Sequence, residues 1–133
     1  MNRSIVVIDD NTGYLEFVTT LLSRAGFEAH PFNCAKKAMK FVQQTEVALV
    51  ITDVFMPDMD GIEVLRMLQR VAPQVSVIGI SGLQASFGYS YLEALRALGA
   101  SAILQKPCDP QALLAEIKRL LEDVSLESPR LFA

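Results

Sequence analysis

At 133 residues, 51% of them hydrophobic, with a net charge of -3, the chain suits one compact domain whose sheet is buried on both faces. No run approaches the roughly 20 apolar residues of a membrane helix, and the N-terminus lacks a basic region followed by an apolar core and cleavage site, so a soluble, cytoplasmic protein without a membrane partner is expected. Scattered Lys and Arg on an acidic chain argue against a nucleic-acid footprint, and two distant cysteines, Cys34 and Cys108, point to free thiols.

Short apolar runs alternate with helical patterns, as expected of five βα units around a parallel sheet. The first strand, Ile5 to Ile8, ends on Asp9 and Asp10, and the helix after it carries Leu15, Val18 and Leu22 before Gly26 stops it. Phe27 to Phe32 alternates and tolerates Pro31, as an edge strand would, which turns His30 outward. Asn33 can cap a second helix bearing Ala38, Met39 and Val42. A central strand, Val47 to Thr52, ends on Asp53; Val64, Leu65 and Leu68 then line a third helix that stops before Pro73. The strand from Val75 to Ile80 ends on Ser81. A fourth helix places Leu92, Leu95 and Leu98 on one face with Gly99 as its stop, and Lys106 lies just past Ile103 and Leu104. Asp109 and Pro110 open a fifth helix with Leu113, Ile117, Leu120 and Leu121. From Asp123 to Ala133 the periodicity fades and Pro129 interrupts it, so residues 1–122 are expected as the domain and 123–133 as a C-terminal tail.

In an open α/β sheet the carboxyl ends of parallel strands face a shared crevice. Asp9, Asp10 and Asp53 should therefore meet. Two unit charges about 4 Å apart repel by roughly 4 kcal/mol at an effective dielectric near 20, so three ionised carboxylates require a cation among them. All-oxygen donors without convergent His or Cys favour Mg²⁺. Lys106 adds an opposing positive charge and Ser81 a hydroxyl, so the crevice can neutralise a phosphoryl group while one carboxylate, Asp53, attacks it.

Taken singly, these residues have plainer readings: an Asp pair after a strand is commonly a cap or turn, and an isolated Lys or Ser is solvated surface. Four strand ends carrying the required types in order are much harder to explain that way. Asp58 and Asp60 superficially suggest a calcium loop, but Ile62 and Gln69 stand where oxygen ligands are needed. No Gly-rich phosphate loop or dinucleotide fingerprint is present.

Over about residues 4 to 122 the chain resembles the receiver domain of two-component response regulators, in the manner of the single-domain chemotaxis type. Asp9-Asp10 matches the family's acidic pair, the run Asp53-Val54-Phe55-Met56-Pro57-Asp58-Met59-Asp60-Gly61 its phosphoacceptor and following loop, Ser81-Gly82 its switch hydroxyl and small neighbour, and Lys106-Pro107 its lysine and usually cis proline. The resemblance implies a flavodoxin-like (βα)5 three-layer sandwich with a parallel five-stranded sheet of order 2-1-3-4-5. It also implies that Asp53 accepts a phosphoryl group from a histidine kinase or phosphotransfer protein, and that Asp9, Asp10, Asp53 and the backbone carbonyl of Phe55 hold Mg²⁺. Ser81 and Lys106 would complete the phosphoryl site, and the signal would leave through contacts with a downstream protein. Such a chain is a phosphoacceptor rather than an enzyme, a monomer or weak homodimer. With about eleven residues after the fifth helix it is expected to act without an attached effector, either as a stand-alone chain or as an excised domain.

Two positions depart from the family pattern. Ile103 occupies the place usually held by a switching Tyr or Phe, and the segment from Leu83 to Tyr91 reads as a lengthened loop rich in Phe87, Tyr89 and Tyr91. Phe55 and Leu83 match the two variable positions that in receivers flank the path of the hydrolytic water, and their apolar bulk predicts slow loss of phosphate. Two alternatives carry less of the sequence. A receiver-like interaction module working without phosphate leaves the intact site residues unexplained. A haloacid-dehalogenase-type phosphatase needs a second aspartate where Phe55 stands.

Overall fold

The computed structural model describes residues 3–82 and 85–131, with side chains except at 85–89 and 123–131. Its elements are β1 (Ser4–Ile8), α1 (Thr12–Arg24), β2 (Glu28–Phe32), α2 (Ala35–Gln44), β3 (Leu49–Asp53), α3 (Gly61–Val71), β4 (Ser76–Ser81), α4 (Ala85–Ala97), β5 (Ala102–Gln105) and α5 (Pro110–Leu131). The sheet is parallel throughout, in the order β2-β1-β3-β4-β5, the expected doubly wound, flavodoxin-like arrangement.

Period-two alternation along the inner strands divides the interior into two cores. Ile5, Val7, Leu49, Ile51, Ile78 and Ile80 pack beneath α1 and α5, against Leu15, Val18, Leu22, Leu113 and Ile117. Val6, Ile8, Val50 and Val77 face the other way, against Met39 and Val42 of α2, Leu65 and Leu68 of α3, and Leu92 and Leu95 of α4. Burial on both faces explains why the inner strands read as continuous apolar runs. Gly26 and Gly99 stop α1 and α4 as expected, at φ of 91° and 119°, a region that side chains other than glycine's rarely enter.

Several local expectations need correction. Asn33 does not cap α2: the N-cap is Cys34, which makes no side-chain capping bond, and the carboxylate of Asp58 accepts instead from the amides of Ala35 (3.3 Å) and Lys36 (3.0 Å). Leu98 is exposed, because α4 ends at Ala97 and the chain turns away at Gly99. The segment read as a long loop is largely helical, α4 starting at Ala85. Leu83 lies outside the described residues, as do the side chains of Phe87 and Tyr89. Backbone from 123 continues α5 to Leu131; extending a helix needs no new nucleus, so weak periodicity does not end it. His30 is half-buried against the ring of Phe41, 4.7 Å between centroids, since α2 overlies that part of the edge strand. Among the described residues, no helix is long and apolar enough to cross a membrane.

Candidate functional site

The carboxyl ends of β1 and β3 are neighbours, and they bring the acidic residues together. Asp9 is 2% exposed and Asp53, the last residue of β3, is 9% exposed, whereas Asp10 is open to solvent. Carboxylate oxygens of all three lie within 4.8 Å of one another. The turn into α1 is fixed by Asn11, whose side chain accepts from the amide of Tyr14 at 3.1 Å as an N-cap does. The Asn11 amide in turn donates to Asp9 Oδ1 at 2.9 Å, and the amide of Phe55 donates to Asp53 Oδ1 at 3.4 Å.

Lys106 supplies the opposing charge. Its Nζ donates to Asp9 Oδ2 at 2.7 Å and stands 3.7 Å from Asp53 Oδ2, so at rest it is committed to Asp9 and only near Asp53. The ammonium also lies 4.4 Å from the centroid of the Tyr14 ring, a cation–π contact. The Lys106–Pro107 bond is cis. Ser81 closes β4, fully buried, and its carbonyl accepts from the Lys106 amide at 2.7 Å, which ties the ends of β4 and β5. Asp10, Asn11, Asp53, Phe55, Gly82 and Lys106 line a cavity of about 310 Å³. A roomier groove of about 480 Å³ runs along α3, lined by Met59, Glu63, Arg66, Met67, Gln69 and Arg70, and holds none of the clustered carboxylates.

Charge crowding is visible in Asp53, whose pKa is pushed up to about 6, first by burial and then by Asp9 and Asp10, against the opposing pull of Lys106 and the Phe55 amide. Lys106 alone leaves the three carboxylates two charges in excess. An oxygen-only donor set with that imbalance suits a hard divalent cation.

Some neighbours of the site went unread in the sequence, with or without a local signal. Tyr14 sits over Lys106, and its hydroxyl is 3.3 Å from Cys108 Sγ; burial, then Cys108, raises its pKa well above the ordinary phenol value. The spacing of Asn11 and Tyr14 identifies a cap, but nothing local predicts that the ring turns onto a lysine 92 residues later in the chain. Asp60 caps α3 in a reciprocal box with Glu63 (2.9 and 3.2 Å), a pattern legible as Asp-x-x-Glu. Phe55 stacks on Tyr91 of α4, 4.7 Å between centroids and tilted by 48°. Ile103 is half-buried against the core beneath α2, α3 and α4.

The model of the response regulator receiver domain matches residues 5–118. Among curated proteins, the transcriptional regulatory protein GltR of Pseudomonas aeruginosa is 35% identical over 119 residues, covering 90% of this chain and 49% of GltR. The response regulator receiver protein CpdR of Brucella abortus is 28% identical, covering 90% of this chain and 97% of CpdR. The chain thus spans about half or less of the length of several curated relatives and nearly all of another. A CheY-like receiver domain protein from Methanospirillum hungatei superposes with a TM-score of 0.84 at 25% identity, over 96% of this chain and 99% of that one.

Proposed function

The chain belongs to the response regulator receiver family, and on that premise we propose that it accepts a phosphoryl group on Asp53 from a histidine kinase or phosphotransfer protein and signals through protein contacts. The observation that carries this reading is the convergence of Asp9, Asp10 and Asp53 within 4.8 Å, with Lys106 bonded to one of them and 3.7 Å from the proposed nucleophile. An oxygen of Asp53 forms the new O–P bond while the P–N bond to the donor imidazole breaks, leaving the electron pair on that nitrogen. Such transfers depend on positioning and charge stabilisation more than on covalent help from the protein.

Asp9, Asp10, Asp53 and the Phe55 carbonyl are the residues that would hold Mg²⁺. When bound, that ion neutralises charge on the phosphoryl oxygens and on the carboxylates that crowd them. The Asn11 amide holds one oxygen of Asp9 in the cluster at 2.9 Å. In this reading Lys106, 2.7 Å from Asp9 and 3.7 Å from Asp53 at rest, shifts toward new negative charge on Asp53, and Ser81 offers its hydroxyl to the phosphoryl group. A cytoplasmic setting and a monomer or weak homodimer complete the reading.

The test is intact-mass analysis after incubation with acetyl phosphate and Mg²⁺. One added phosphoryl group on the parent and none on Asp53→Asn is the expected result. Equal labelling of both would remove Asp53 from the role, and no labelling of the parent would favour a module that works without phosphate.

A further inference from the structure

Phe55 is attached through both its backbone and its ring. Its amide bonds the Asp53 carboxylate at 3.4 Å, and it lines the cavity above that residue. Its ring lies against that of Tyr91 in α4, 4.7 Å between centroids. Tyr91 also has a charged neighbour: burial, then the Asp60 carboxylate near its hydroxyl, pushes its pKa up to about 12, which sets the hydroxyl beside the start of α3. Asp60 is in turn fixed by its reciprocal cap with Glu63. A half-buried tyrosine with one end on a helix start and its face on another ring has little freedom of its own.

We infer that Tyr91 is a positioning residue that holds the Phe55 ring at the mouth of the Asp53 cavity, and that through it α4 sets how readily water reaches a phosphoryl group on Asp53. This rests on the proposed role of Asp53. Ring-on-ring contact fixes where Phe55 sits, while the hydroxyl lies apart from that contact, beside Asp60, so ring and hydroxyl can be removed separately. An apolar ring at the mouth excludes water and offers it no hydrogen bond. Coupling then runs both ways: whatever displaces Tyr91 together with α4 opens the cavity, and whatever moves Phe55 disturbs α4.

Parent, Tyr91→Phe and Tyr91→Ala are phosphorylated with acetyl phosphate and Mg²⁺, freed of donor, and followed by intact mass as the phosphoryl group is lost to water. Tyr91→Ala should lose it roughly five- to tenfold faster than the parent, with Tyr91→Phe closer to the parent because it keeps the ring contact and loses only the hydroxyl. Decay of Tyr91→Ala at the parent's rate would overturn the inference. Hydrogen exchange across residues 54–62 in the unphosphorylated proteins gives an arm that needs no phosphoryl transfer. There Tyr91→Ala should exchange faster, and unchanged protection in both variants would likewise overturn it. A parent that takes up no phosphate, with exchange altered as expected, would instead locate the failure in the role given to Asp53.

Discussion

Lys106 is shared unequally between a nearly inaccessible carboxylate and one it does not quite reach, and this asymmetry decides what its removal does. Its family role would suggest a residue kept for signalling rather than for stability. The 2.7 Å bond to Asp9, whose side chain is 3% exposed, indicates otherwise, because a buried carboxylate left without its partner bears its full desolvation cost. Lys106→Ala should therefore lower metal-free stability by about 1–3 kcal/mol in urea titrations, and Mg²⁺ should restore part of the loss; stability equal to the parent's would show that Asp9 finds another partner. Asp53 gives the opposite sign. Its pKa rises from an ordinary 3.8 to about 6 on folding, so the folded state holds the proton more tightly. That contribution is fully present below pH 3.8 and is lost as pH rises through about 6. Measured in chelator, the melting temperature of the parent should fall relative to Asp53→Asn across this window, making the variant the more stable protein at neutral pH. Parallel pH profiles for the two would mean that Asp53 is not perturbed.

Helix starts show how the elements are secured around the site. The β3–α3 segment caps two helices with two aspartates: Asp60 caps its own helix, α3, and Asp58 reaches back to the bare N-terminus of α2. Asp58→Ala should cost about 1 kcal/mol, the usual scale for a lost cap, and Asp58→Asn should recover most of it by keeping an acceptor oxygen. An unchanged unfolding midpoint for Asp58→Ala would show that water satisfies those amides equally well. These two aspartates also mark the limit of what sequence reveals. Strand ends and helix stops are local patterns, so Asp9, Asp10, Asp53, Gly26 and Gly99 were all legible; the Asp60–Glu63 box is equally local, yet Asp60 enters the sequence reading as a calcium-loop candidate and not as a cap. Asp58 belongs to a partner 22 residues earlier, Tyr14 to a lysine on the last strand turn, and Phe55 to Tyr91, in a helix whose start periodicity puts too late. Contacts of this kind depend on how helices settle on the sheet, and no period of 2 or 3.6 records them. Leu98 fails for a related reason, since its spacing puts it on the apolar stripe but the helix ends one residue before it.

Across the whole molecule, the acidic site draws its ligands from β1 and β3, the two strands on which both cores rest. Asp9 and Asp53 are 44 positions apart in the chain, and they approach only when those strands are paired in register, Ile8 beside Thr52. A cation that needs both carboxylates therefore binds the folded protein and has no comparable site on the unfolded chain. Binding of that kind stabilises by RT ln(1 + [L]/Kd), about 1.4 kcal/mol at ten times the Kd, which for a domain of this size corresponds to a melting temperature about 5 °C higher. Because the inner strands belong to the cooperative core and not to a fraying edge, the increment should appear in global unfolding and not only in a local opening near the site. Mg²⁺ should raise the melting temperature in a saturable way, and Asp9→Asn, which withdraws one ligand charge, should move the half-maximal concentration upward. Two results would count against an acidic site of this kind: a parent whose melting temperature ignores Mg²⁺, or an Asp9→Asn variant that responds at the same concentrations as the parent.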